Sequence, residues 1–210
     1  DRRKARLEKQ MADLEIRREK ALARQRRYDA RFAKETAEVP GHFAHGINFY
    51  KLCWVFFICC FLGVVIETVF CFIASGRISQ RTGLVWGPFN LIYGFGAVLL
   101  TVSLQRLRGK NDRYIFVGGA IIGGAFEYFC SWLQETVTGT VSWDYSGMPF
   151  NLNGRINLLY CLFWGVLALV WVKEIYPRIS GWIEQNVSRT YGVALTWVIV
   201  VFMLLNSLVS

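Results

Sequence analysis

Two glutamates sit inside stretches of sequence that are otherwise almost free of charge. Glu67 closes the string GVVIE at 63–67 and Glu127 closes GGAFE at 123–127, each four residues after a glycine. About twenty residues after each glutamate come proline, phenylalanine and asparagine, as GPFN at 87–90 and MPFN at 148–151. A carboxylate within an apolar helix costs about 2–3 kcal/mol even on the lenient membrane-insertion scale. It must face a protein interior or a watery cavity, find a donor, or keep its proton. Two carboxylates at one depth repel when both are ionised, which suits cation binding or proton exchange. The plainer reading is that each accepts hydrogen bonds from the neighbouring Pro-Phe-Asn turn, through Asn90 and Asn151, and ties its own hairpin together. Sequence leaves both readings open.

A second set of chemical groups lies in one long polar stretch, QETVTGTVSWDYSGMPFNLNGRIN at 134–157. It is too long for a tight turn and carries Trp143, Asp144, Tyr145, Arg155 and Asn157. Arg155 has two readings: pairing with Asp144, or clamping an anionic group or a span glutamate. The residues expected to bind a solute or ion are therefore Glu67, Glu127, Asn90, Asn151, Trp143, Asp144, Tyr145, Arg155 and Asn157. No residue is assigned a catalytic role. The only histidines, His42 and His45, precede the first apolar run, so the spans hold no imidazole. The six cysteines fall in apolar runs without a CxxC, which argues against a disulfide framework or a metal site. No GxxxxGK[ST] string is present, so the chain does not hydrolyse ATP by that route. No cofactor is expected.

These residues need a membrane scaffold. The chain of 210 residues carries eight Trp, nine Tyr and sixteen Phe. Its first 46 residues hold 13 Lys and Arg against 8 Asp and Glu, whereas the other 164 hold 11 and 7. That contrast describes a basic arm joined to a domain whose solvent is the bilayer. Residues 1–38, rich in Arg, Lys, Glu, Ala and Leu, are expected to form a cytosolic helix. Leu7, Met11, Leu14 and Ile16 give it a short apolar stripe, which alone is too short to define a coiled coil. The string EVPGH at 38–42 breaks the helix, and 39–48 serve as a linker.

Five spans are then expected, at about 49–74, 84–104, 114–133, 156–172 and 191–209, each near the roughly 20 residues that a bilayer requires. An interfacial helix is expected at 174–190, after Pro177. The overall expectation is an all-α polytopic membrane protein of about five transmembrane helices. Four of these form a core at 49–173, built as two parallel helical-hairpin repeats, 49–104 and 114–173. Gly63 and Glu67 correspond to Gly123 and Glu127, Pro88 to Pro149, and Tyr93 to Tyr160, with about eight extra residues in the second copy. The small residues of VGGAIIGGAFE at 117–127 are expected to bring spans one and three together, carrying the two glutamates with them.

The strings GPFNLIYGFGAVLL (87–100), EYFCSWLQE (127–135) and TVSWDYSGMPFNLNGRINLLYCLFWG (140–165) resemble the putative ABC-transporter type IV family, the CmpB-like membrane proteins described as ABC transporter permeases. The resemblance covers roughly residues 50–180 and leaves out the basic arm and the fifth span. It implies a small polytopic permease, and it supplies no substrate and no functional residue. A permease of that type needs an ATPase partner, docked on the basic arm or on 174–188. The functional expectation is thus a transporter or permease-like subunit with a polar, outward-facing site for a small cationic or proton-coupled solute. The alternatives are a scaffold that uses its arm to hold a cytosolic partner, and an enzyme acting on a lipid headgroup at the outer face. Five spans are few for a complete transport path, which favours self-association in the bilayer. No nucleic-acid-reading motif accompanies the basic arm.

Lys and Arg set the expected orientation. With the N-terminus inside, inner segments hold 21 of these residues and outer segments 3, namely Arg77, Arg81 and Arg155. The expected location is the cell membrane, N-terminus cytoplasmic and C-terminus outside. Single cysteines at Asp1 and Ser210, in a background without other cysteines, should therefore label from opposite faces of sealed vesicles. Labelling of both from one face would overturn this topology.

Overall fold

Asparagine starts four of the helices described in the membrane domain, and glycine ends two of them. The computed structural model describes residues 2–36, 43–76 and 83–210. Helix α1 (Arg2–Thr36) forms a unit by itself. In the second unit, α2 is Phe49–Ser75, capped by the Asn48 side chain on the Lys51 amide, and ends at Gly76 with φ 67°. Helix α3 is Leu91–Leu104, capped by Asn90 and prolonged by a 3-10 turn at Gln105–Leu107. Helix α4 is Asp112–Thr138, capped by Asn111, and ends at Gly139 with φ 68°. Asn side chains replace missing intrahelical acceptors for the first amides, and left-handed Gly closes the last carbonyls without a Cβ clash. A small hairpin follows, with β1 (Asn151–Leu152) antiparallel to β2 (Ile156–Asn157). Then come α5 (Leu158–Val170), a π-helical turn (Trp171–Ile175), α6 (Tyr176–Asn186) and α7 (Arg189–Val209).

Among the described residues, four helical stretches are long and apolar enough to cross a bilayer: Phe49–Ile73, Asp112–Thr138, Leu158–Asn186 and Arg189–Val209. A fifth, Leu91–Leu107, is apolar but shorter. The chain is thus an all-α polytopic membrane protein. The expected break at 38–42, with His42, and the turn carrying Arg77 and Arg81 lie outside the described residues.

Three expectations change. First, the span expected from Leu84 becomes helical only at Leu91. Residues 83–90 run as irregular chain beside α2, where the Asn90 amide donates to the Cys60 carbonyl at 3.1 Å. Irregular backbone beside apolar helices persists only if protein groups satisfy it. Here α7 does so. Asn206 Oδ1 accepts from the Trp86 amide at 2.9 Å while its Nδ2 donates to the Trp86 carbonyl at 2.7 Å. Ser210 Oγ accepts from the Val85 amide at 2.9 Å.

Second, no separate interfacial helix follows Pro177, because α5, the π turn and α6 form one helical stretch of 29 residues. Pro177 has no amide hydrogen and its ring clashes with the carbonyl four residues back. The π turn widens the helix there, with the Tyr176 amide reaching back to the Trp171 carbonyl. At about 1.5 Å per residue the stretch is about 44 Å long, beyond the roughly 30 Å hydrocarbon core. Its α6 end packs against the start of α2. There the fully buried Lys51 Nζ donates to the Ser180 carbonyl (3.2 Å), the Ser180 hydroxyl (2.6 Å) and Glu184 (2.5 Å).

Third, the glycines close each hairpin rather than joining spans one and three. A Cβ on Gly119 would lie 2.2 Å from that of Ala168, and one on Gly123 would lie 2.3 Å from the Trp164 ring, both in α5. A Cβ on Gly63 would lie 2.2 Å from the Tyr93 ring in α3. The main packing pairs are α2 with α3 and α4 with α5, and α3 meets α4 between them.

Asn206→Leu keeps size but leaves the Trp86 amide and carbonyl without partners. The cost should be roughly 2–4 kcal/mol, the desolvation of two orphaned groups. A clearly lowered thermal midpoint in detergent checks it, with Ser207→Ala, which removes one bond to its own helix at Met203, as the milder control.

Candidate functional site

Each glutamate is held inside its own hairpin by aromatic donors. Tyr93, on the first turn of α3, donates its hydroxyl to Glu67. Glu127, on the buried face of α4, accepts from two sides: Tyr145 Oη at 2.8 Å on Oε1 and Trp164 Nε1 at 2.9 Å on Oε2. Glu127 is only 9% exposed, whereas Glu67 is half-buried. A carboxylate accepting two directed bonds in low dielectric is fixed in place, because losing either donor strands an acceptor.

The two hairpins make corresponding contacts. Gly63 lies under the Tyr93 ring and Gly123 under the Trp164 ring. One residue on, Gly94 lies against Phe56 and Gly165 against Phe116. In structural terms Tyr93 therefore corresponds to Trp164, not to the Tyr160 that the sequence comparison selected. Tyr160 instead stacks on Tyr145, with ring centroids 4.6 Å apart and planes 23° from parallel. Trp164 was missed as a site residue. The signal was available: an aromatic residue before glycine, Tyr93-Gly94 and Trp164-Gly165, aligns if the second copy is given a ten-residue insertion after MPFN. Trp164 also reaches across to α3, since a Cβ on Gly96 would lie 3.5 Å from its ring.

That insertion changes the job of Asn151. Asn90 caps α3, but α5 is capped by Asn157, which is 2% exposed and accepts from the Tyr160 amide at 3.1 Å. Asn157 Nδ2 also lies 3.2 Å from Met148 Sδ. Asn151 stays in the loop and does not reach Glu127. It donates to the Met148 carbonyl at 2.7 Å and accepts from the Gly154 amide at 3.1 Å.

The loop is pinned from within. Trp143 Nε1 donates to the Arg155 carbonyl at 2.9 Å, and the Tyr145 amide donates to the Gly154 carbonyl at 2.7 Å. Asp144 is exposed and accepts from the Ser146 hydroxyl and amide, at 2.6 and 2.8 Å, which hold its carboxyl below the usual range. The pairing of Arg155 with Asp144 is thus replaced. Arg155 bonds Glu135 near the end of α4, donates to Ser131 Oγ at 3.3 Å and lies over the Tyr128 ring. Burial, reinforced by the Glu127 carboxylate, pushes the Tyr145 phenol upward, so it remains a proton donor to Glu127 at neutral pH. Within the second hairpin Tyr145 meets Glu127, Trp143 meets the Arg155 backbone, and Asn157 caps α5 beside Met148. Glu67 and Asn90 belong to the first.

A bundle of apolar helices, four of them among the described residues long enough to cross a bilayer, defines a polytopic membrane protein. The chain belongs to the family described as Putative ABC-transporter type IV, which matches residues 54–210. The match runs through α7, so the fifth span is part of the family's shared region and not an appendage. No curated protein and no solved structure matches the chain.

Trp164→Phe keeps a ring over Gly123 but removes the indole donor to Glu127. Tyr145→Phe removes the other donor and keeps the stack on Tyr160. Each should lower stability by about 1–3 kcal/mol, the cost of an unsatisfied buried acceptor. Tyr160→Phe should change little, because the stack survives. Thermal unfolding of the three variants in one detergent checks the order.

Proposed function

We propose that the chain is an integral membrane transporter or permease-like subunit, in which Glu127, with Glu67 at the corresponding position, binds a small cation or relays a proton reached from the outer side. The observation that carries this reading is the Glu127 site itself. A carboxylate is retained within an apolar helix, held by the two donors Tyr145 and Trp164, and one of them belongs to a loop that interrupts the regular hairpin. Structural glue needs only a donor from the facing helix, which Trp164 supplies. The added phenol comes from the loop, so displacing the loop would free one side of Glu127, which suits a gate. The family's description is a transporter, which supports the same reading.

In this proposal the two hairpins are copies of one unit, and the N-terminus is cytoplasmic, as the 21-to-3 distribution of Lys and Arg supports. Residues 1–38 are a cytosolic arm, 39–48 a linker and 49–173 the core. A cytosolic ATPase or other partner would engage the arm or α6. The arm's separateness as a unit also favours the scaffold reading. The headgroup-enzyme reading is weaker, because Arg155, its anion clamp, is engaged by Glu135.

The test is ion movement in proteoliposomes. Reconstituted wild-type protein should dissipate an imposed proton or monovalent-cation gradient faster than empty vesicles. Glu127→Gln keeps acceptor and shape but loses charge, and should cut that rate at least about tenfold with unchanged insertion. Equal rates for wild type and variant, with activity lost only in Glu127→Leu, would make the carboxylate structural glue.

A further inference from the structure

Helix α1 is 35 residues long, and Leu7, Met11 and Leu14 are each more than half exposed on it. A helix that is polar on nearly every side holds together through charge pairs or through a partner. Its sequence carries a seam longer than the apolar stripe suggests. Starting from Leu7, steps of four and three residues reach Met11, Leu14, Ala21, Tyr28 and Phe32, with Arg18 and Gln25 as polar interruptions. Polar residues at such core positions fix register and strand number at some cost in stability.

The charges beside the seam identify the occupant. On one flank, at heptad spacing, stand Arg3, Gln10, Arg17, Arg24 and Arg31. On the other stand Glu8, Glu15, Leu22, Asp29 and Thr36. One flank is basic or neutral and the other acidic or neutral, without exception. In a parallel pair of helices each residue of the first flank faces the residue five positions on in the other copy. Arg3 then meets Glu8, Gln10 meets Glu15 and Arg24 meets Asp29. Arg17 would face Leu22, and it pairs within its own helix with Asp13 at 2.8 Å. In an antiparallel pair the basic flanks would face each other, Arg against Arg. Two copies in one membrane, each with its arm N-terminal to its own first span, also favour the parallel arrangement.

We propose that α1 is a parallel coiled-coil interface with a second copy of this chain, which makes the membrane unit a dimer on the side where the arm lies. The proposal stands apart from the transport reading. Ile16 lies off the seam, pointing away from it in this register.

The test uses the full chain in bilayers, with its native cysteines replaced. Leu14→Cys should form a covalent dimer under mild oxidation, at least about tenfold faster than Ile16→Cys. Added to Leu14→Cys, Arg24→Glu should slow the reaction roughly tenfold, because two exposed attractive pairs per dimer become repulsive. Asp29→Arg on top of it should restore the rate by recreating opposite charges. Three results would each overturn the proposal: no crosslink at Leu14, equal rates at positions 14 and 16, or no restoration by Asp29→Arg. Binding of the arm to phosphatidylglycerol vesicles without crosslinking would assign the same face to the membrane instead.

Discussion

In an apolar medium a backbone that leaves the helix must find every partner within the protein. Much of this fold is arranged around that requirement. The chain enters α3 through irregular residues 83–90, and α7 ends in the side chains that satisfy them, Asn206 and Ser210. The entry to α5 has no such helix beside it. It carries its own solution, the inserted segment with β1 and β2, where the Leu158 amide donates to the Phe150 carbonyl at 3.2 Å. The asymmetry between the hairpins follows from this. One entry is satisfied by a distant helix, the other by an internal loop, and that loop brings the Tyr145 phenol to Glu127.

Helices in lipid gain little from apolar burial against each other, so close backbone approach and interhelical hydrogen bonds carry the association. Three indoles supply those bonds at successive joints. Trp54 Nε1 donates to Thr196 at 3.0 Å, tying α2 to α7. Trp171 Nε1 donates to Thr101 at 2.9 Å, tying the π turn to α3. Trp164 ties α5 to Glu127. Trp164 is positioned by Gly123, whose missing Cβ leaves room for the ring. The site is therefore as rigid as the α4–α5 packing on its helix side, and only as rigid as the loop on its Tyr145 side.

Part of the fold was legible because apolar length marks the spans. The capping roles of Asn48, Asn90, Asn111 and Asn157, and the helix-ending Gly76 and Gly139, were not read from the sequence. Pro177 misled, since a proline reads as a break unless a wider turn absorbs it, and nothing in WVKEIYP announces one. Of the site, the glutamates, Tyr145 and the loop were legible as polar groups in apolar surroundings. Their partners were not. The partner of Arg155 depends on the height at which the loop returns to α4, which brings it to Glu135 and not to its sequence neighbour Asp144. Trp164 was hidden by alignment: an insertion after MPFN of about eight residues in place of ten paired Tyr93 with the wrong aromatic. Helix partners were also out of reach, since glycine spacing shows that a face is thin without naming what lies against it.

The π turn has a consequence for how this sequence can change. Each residue of an α-helix turns the chain by about 100°. The number of residues in the α-helical parts of 158–186 therefore sets the rotation of α6 relative to Trp164 and Trp171. Ser180 and Glu184 meet Lys51 only at that setting. Deleting one residue from the α-helical parts before Ser180 would swing both acceptors by about 100°, stranding a buried ammonium, whereas the wide turn at 171–175 is where one residue could be lost without that swing. Substitutions at the exposed positions of this stretch are absorbed singly, but a change of length in its α-helical parts is not. Outside packed residues such as Gly165, Ala168, Trp171, Ser180 and Glu184, composition is free to drift while those helical parts stay fixed in length.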